Sequence, residues 1–291
     1  MRQQREVSLA TRLPRGLSAV IRVVALVVIL PFCASAHAQQ MTVTSTTSKY
    51  DPLAVPTGRR FRFKLPTPRS DPHGGNIYFL NVTSLQNGEV YFEVTGDYSA
   101  AFEDVTPDTA ITISVPPDGT VGTSGPSERK IIEVTSDETD FSVFADLPFE
   151  GNSEGMQILP TAAWGKDYVV ASYAAQLDGG DSTDTPSEFV VISNGDSTIL
   201  TINPSDDIRG GSPKTIIHER HVPFSDTLTY GRSIQYQMIR STGTNSDATG
   251  TTIHASRPIG VIAATQFASI PSTYSVPNFL CEMIPPVSLW G

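Results

Sequence analysis

Beyond residue 38, no stretch of this chain keeps a 3.6-residue apolar period for more than two turns. What it keeps instead is short apolar runs broken by turn residues. There are 22 Gly and 22 Pro, and 30 Thr fall after residue 38 among many Val and Ile. That is the composition of strands separated by turns. In Phe61-Arg62-Phe63-Lys64-Leu65 the apolar side chains alternate with charges. Ile77–Val82 and Val90–Val94 flank Asn87-Gly88 and read as a hairpin, because Asn-Gly accepts positive φ. Glu188–Ser193 and Thr198–Asn203 flank Asn194-Gly195-Asp196 and read as a second hairpin. Further short strands are expected at Thr215–His218, Ser233–Ile239, Thr251–Ala255 and Pro258–Ala264. A short helical turn is expected only at Glu154–Leu159 or Phe279–Met283.

Strands and turns at this spacing predict an all-β fold of two sandwich-like modules. Pro116–Ser127 is a Gly/Pro/Ser-rich loop, and a second break lies at Pro148–Glu154. The expected division is therefore a first β module over 39–150 and a second over 151–291. The 38 residues before them read as a signal peptide. Arg2, Arg5, Arg12, Arg15 and Arg22 supply a positive flank, Val23–Leu30 is an unbroken apolar run, and Ala36-His37-Ala38 fits a small-x-small cleavage site. The apolar stretch is ~14 residues, short of the ~20 that a spanning helix needs.

Removing those residues takes five Arg and Glu6 from 20 basic and 30 acidic residues, leaving 15 against 29 and a net charge of -14. Such an acidic chain lacks the basic face that nucleic acid demands. Of the two Cys, only Cys281 follows residue 38, so an internal disulfide is not expected in the exported form.

Four segments together resemble a known family. They are Gly155–Pro160 with Trp164–Tyr173; Ser187–Ile192 with Ser197–Ile202; Gly250–Ile262; and Cys281–Pro286 with Trp290-Gly291. In this order they are similar to the IgGFc-binding protein N-terminal domain family, over about residues 125–291. The resemblance implies an exported or cell-surface binding protein, of a kind that bacterial secreted proteins also carry. It supplies no catalytic or ligand-binding residues to carry over. Relatives often hold several Cys near the last segment, where this chain has Cys281 alone. The family pattern also continues past Trp290-Gly291, so a C-terminally truncated second module is expected.

No constellation assigns a catalytic or cofactor-binding residue. His218-Glu219-Arg220-His221 spaces two His at i, i+3 in a strand context, one residue short of the helical His-Glu-x-x-His zinc signature. Asp178, Asp181 and Asp184 lie in a Gly-containing loop whose oxygens suit calcium. Their spacing of three is not the alternate-residue pattern of an EF-hand, and a solvated acidic loop is the plainer reading. Ser124 does not sit in Gly-x-Ser-x-Gly. Asn81-Val82-Thr83 fits a glycosylation sequon. Trp164, Trp290 and Cys281 are expected in the core or at corners. The expectation is a non-enzymatic binding or adhesion protein, secreted or at the cell surface. It would take an extracellular protein or glycan, without nucleic acid, cofactor or a membrane span in the mature chain. Its function would sit in loops such as Pro116–Ser127 and Gln176–Pro186. The alternatives are a secreted hydrolase using His218 and His221 with a metal, or a structural module of a surface assembly.

Overall fold

The alternating apolar positions all become strands of antiparallel sheets in the computed structural model. It describes residues 43–47, 56–66, 78–95, 99–115, 131–149, 152–176, 185–210, 215–239, 246–271, 273 and 277–290. In the first half these strands are β1 (Val43–Thr47), β2 (Arg60–Phe63), β3 (Tyr78–Ser84), β4 (Gly88–Val94), β5 (Ser99–Val105), β6 (Thr109–Val115), β7 (Ile132–Thr135), β8 (Phe141–Phe149) and β9 (Asn152–Ile158). They form two sheets, ordered β1-β6-β3-β8-β9 and β2-β7-β4-β5. Leu80, Val82, Ile111, Ile113, Val143 and Ala145 of one sheet and Phe61, Phe63, Val90, Phe92 and Val134 of the other meet in one buried cluster. β3 and β4 thus bury every second residue, as sheet-on-sheet packing requires, whereas β2 and β7 are buried on both faces over most of their length. Phe61 and Phe141 pack with ring centroids 4.8 Å apart across this core.

The second half carries β10 (Gly165–Val169), β11 (Ser187–Ser193), β12 (Thr198–Asn203), β13 (Ile208–Arg209), β14 (Ile216–His218), β15 (Phe224–Leu228), β16 (Ser233–Gln237), β17 (Thr252–Ala268) and β18 (Asn278–Ile284). Here β17 organises everything. Its first residues, 252–255, pair with β12 and β10. From residue 259 onward it pairs with β11 and from 261 with β18, while β10 reaches past the change with Gly165 opposite Ile259. The switch falls at Ser256-Arg257-Pro258, where proline has no N–H to give a ladder. The two strands expected on either side of Arg257 are therefore one. β15 lies beyond β12 and β16 beyond β11.

β11 and the later part of β17 are buried on both faces. Phe189, Val191, Val261 and Ala263 belong to one cluster, with Leu200, Ile202, Tyr236 and Ile253. Val190, Ile192, Ile262 and Ala264 belong to the cluster of the first two sheets, with Cys281 and Met283. This is why Glu188–Ser193 reads as a continuous run rather than an alternation. The division expected near residue 150 falls between β8 and β9, which pair from Val143↔Ile158 to Phe149↔Asn152. Contacts group Gln39–Gly291 as one unit. The expected signal peptide lies outside the described residues.

Both Asn-Gly hairpins are corrected by the structure. β3 and β4 lie in different sheets, and β17 separates β11 from β12. Neither Gly88 nor Gly195 has positive φ. Each is a point of close approach: a Cβ on Gly88 would lie 2.5 Å from Thr139 Cγ2, and one on Gly195 2.9 Å from Arg257 Cδ. At Gly88 glycine serves contact rather than a tight turn, because Thr139 Cβ is also only 2.8 Å away, whereas the neighbour of Gly195 is a flexible arginine side chain. Glu154–Leu159 and Phe279–Met283 are strands instead of helical turns, because β9 is held by β8 and β18 by β17. Single 3-10 turns occur at Thr161–Ala163 and Val287–Leu289.

Candidate functional site

Strand register lines up side chains across the four-stranded sheet. Arg60 opposes Thr135, Thr135 opposes Tyr91, and Tyr91 opposes Phe102. The next row holds Arg62, Glu133 and Glu93. Because Phe61, Phe63, Phe92 and Val134 point into the core, both rows lie on the opposite, outward face. Three strand spacings make the first row roughly 14 Å long.

A turn from the second half stands over one end of these rows. It runs through Thr229–Arg232 and closes with the Arg232 amide donating to the Thr229 carbonyl at 3.2 Å. Gly231 takes φ 71° there, a left-handed value that glycine tolerates without strain. The Tyr230 amide donates to Asp196 Oδ1 at 3.2 Å, which ties the turn to the segment after β11. Between the turn and the sheet is a cleft of about 350 Å³, lined by Arg60, Arg62, Tyr91, Glu93, Glu133 and Tyr230 among others.

The cleft is held open by one carboxylate and two guanidinium groups. Glu133 Oε2 accepts from Arg62 Nη2 at 2.7 Å and Nε at 3.0 Å. Its Oε1 lies 2.9 Å from Arg60 Nε. Arg62 is 1% exposed, whereas the Arg60 side chain is half exposed. The Arg62 guanidinium also stacks under the Tyr230 ring, 4.0 Å from its centroid, and Nη1 is 3.5 Å from both the Ser193 carbonyl and Asn194 Oδ1. A buried arginine therefore joins the sheet to the second half, through a charge-assisted pair and a cation–π contact. Tyr91 and Phe102 pack at 4.8 Å, and Phe102 is 63% exposed. Partial desolvation pushes the Tyr91 phenol up, with the Glu93 and Glu133 charges adding.

Aromatic rings beside a half-exposed arginine, in a concavity with satisfied ion pairs, are the composition of a protein-binding patch. The sequence alternation at β2 showed the charged face but not its burial. Tyr91, Phe102 and Tyr230 were missed, because only strand register and a contact spanning some 170 residues of chain bring them together.

The residues singled out in the sequence lie elsewhere. Asp178, Asp181, Asp184, Ser124 and most of both expected functional loops fall outside the described residues. His218 is half-buried on β14, its ring stacked on Phe224 at 3.5 Å, and burial lowers its pKa. His221 sits in the following turn at φ 61°, its amide bonded to the Pro204 carbonyl. Among the described residues, no group of three or more His, Cys, Asp or Glu is placed to hold a metal ion. Asn81 is in mid-strand, its Oδ1 accepting from Thr112 Oγ1 at 2.7 Å. Trp164 is buried against Gly260, as expected, whereas Trp290 is exposed. Cys281 is buried, and burial together with Glu154, Glu282 and Glu188 holds its thiol well above the usual range.

One buried acid stands apart from the cleft. Glu188 is fully buried on β11, and its Oε2 accepts from Gln237, Gln266 and Gln235 Nε2 at 2.7, 3.0 and 3.2 Å. Desolvation raises its pKa to about 8, against the lowering pull of these bonds and of Arg209. Arg209 in turn donates to Gln237 Oε1.

Among the described residues, no helix is long and apolar enough to cross a membrane. No curated protein and no solved structure matches the chain. Residues 154–291, from β9 through the 3-10 turn after β18, match the family model described as IgGFc binding protein. That stretch supplies Tyr230 and the wall of the cleft, and it is this part of the chain that is similar to the IgGFc binding protein family.

Proposed function

We propose that the chain is an exported, non-enzymatic binding module that takes a protein ligand in the cleft between the β2-β7-β4-β5 face and the Tyr230 turn. The observation that carries this is the row Arg60, Thr135 and Tyr91, extended by the exposed Phe102, with Tyr230 lining the same cleft as the first three and the buried charges there already paired. Such a surface offers aromatic area and one half-exposed arginine without an unpaired buried charge to desolvate, which favours association. The match of residues 154–291 to a family model described by binding supports the same class of activity. Immunoglobulin Fc is not assumed as the ligand, because a family description does not transfer a ligand to this surface.

The test uses the purified chain against a panel of extracellular proteins that includes immunoglobulin G Fc. Loss of the two anchors in Tyr91→Ala/Tyr230→Ala is expected to weaken binding at least ~10-fold, about the 1.4 kcal/mol of a modest hot spot. Full binding by the double variant, or no panel protein held below ~100 μM, refutes the reading.

A further inference from the structure

A second concavity, of about 270 Å³, is lined by residues of β9, β17, β18 and the segment after β10. Its walls are mainly apolar: Ala171, Tyr173, Ala263, Ile270 and Leu280. Two carboxylates, Glu154 of β9 and Glu282 of β18, also line it, and no Lys or Arg does. Thr265 of β17 lines it too. That residue is fully buried, and its Oγ1 has no hydrogen-bond partner among the described residues. A buried hydroxyl without a partner costs about 1–3 kcal/mol. It is an acceptor that a donor entering the cavity would satisfy.

Both carboxylates are raised. Glu154 is pushed to about 6, first by desolvation and then by the charge of Glu282, although the Cys281 amide donates to it. Partial desolvation raises Glu282 as well. The groups facing Glu154 are Glu282 and Cys281 from β18, with Glu188 near the same thiol and Leu147 opposite on β8. None of these is a cation.

We propose that this cavity is a socket for the alkyl stem and ε-ammonium of a lysine presented by a partner protein. The stem matches the alanine, leucine and isoleucine walls, as long cationic side chains do when their methylenes lie on apolar surface. The ammonium offers three donors, which match two carboxylates and one unpartnered hydroxyl. Charge complementarity is specific to a cation, since a neutral side chain would leave both acids uncompensated. The socket does not use Tyr91 or Tyr230, so it stands or falls independently of the cleft.

The probe is Nα-acetyl-lysine methylamide, titrated into the purified chain by NMR, with the norleucine analogue as the uncharged control. Saturable binding of the lysine amide and none of the norleucine amide is expected. Binding should weaken about fivefold between about pH 7.5 and about pH 5, as Glu154 takes up its proton. Glu154→Gln and Glu282→Gln should each weaken it about fivefold, the worth of a half-exposed pair. Thr265→Val, which leaves no donor or acceptor unpaired in the unliganded protein, should keep its melting temperature and still bind less well. Equal binding of the norleucine amide overturns the proposal. So does unchanged affinity in folded Thr265→Val together with either Gln variant, or no saturable binding at all.

Discussion

Glu188 gives the most quantitative handle on this fold. It sits fully buried in an apolar strand with its pKa raised to about 8 from an ordinary 4.5. Since the folded-state value lies above the unfolded one, its contribution is most favourable below pH 4.5 and is lost as pH rises through about 8. At pH 7 the unfolded chain gains ionisation that the folded chain does not, which costs about 3 kcal/mol. Glu188→Gln removes that cost and keeps an oxygen at the Oε2 position, where three glutamine amides donate. The new NH2 takes the place of Oε1, which has no partner among the described residues. The variant should therefore match the native chain at about pH 4.5 and gain up to about 3 kcal/mol at pH 7, or roughly 6–12 °C for a domain of this size. Thermal unfolding followed by circular dichroism across that pH range measures it. Glu188→Leu is the control: it removes the acceptor that the three amides share and should be less stable than the native chain at every pH. A Glu188→Gln advantage that is absent, or that does not change with pH, would show that the burial argument is wrong.

Other substitutions probe the remaining framework. Arg62→Met alone should cost about 3–5 kcal/mol by leaving Glu133 underpaired in a buried site, and the double Arg62→Met/Glu133→Leu much less than the sum; additive losses in denaturant melts would contradict this. Gly260→Ala should cost about 1–3 kcal/mol, because its Cβ would lie 2.6 Å from Trp164 Cζ2; an unchanged melting temperature would mean that the ring moves freely. Cys281 should resist a thiol reagent in the native chain and react on unfolding, while rapid native labelling would place it at an opening surface.

Strand content was legible in the sequence, but strand partners were not. The runs Phe61–Leu65, Ile77–Val82 and Val90–Val94 announce themselves by alternation or by apolar, β-prone composition, both local properties. Pairing depends on what lies between, and both Asn-Gly pairs misled because neither glycine takes positive φ and the flanking strands find other partners. β17 could not be read as one strand, because Pro258 looks like a break until it is seen to fall where the strand changes partners. Glu188 had a readable partner set: Gln235 and Gln237 alternate on β16 with Ile234 and Tyr236, so a polar face was waiting for an acid in an apolar run. The cleft had no such local mark. Arg62 looks like a solvated charge until Tyr230 covers it.

The most direct test of the binding account is a hydrogen-exchange footprint of the chain with the protein ligand that the panel recovers. The account predicts slowed exchange in β4, β5 and the Thr229–Arg232 turn, with β12 and β15 unchanged. Protection confined to β12 and β15, or no protection around Tyr91 and Tyr230, would contradict it.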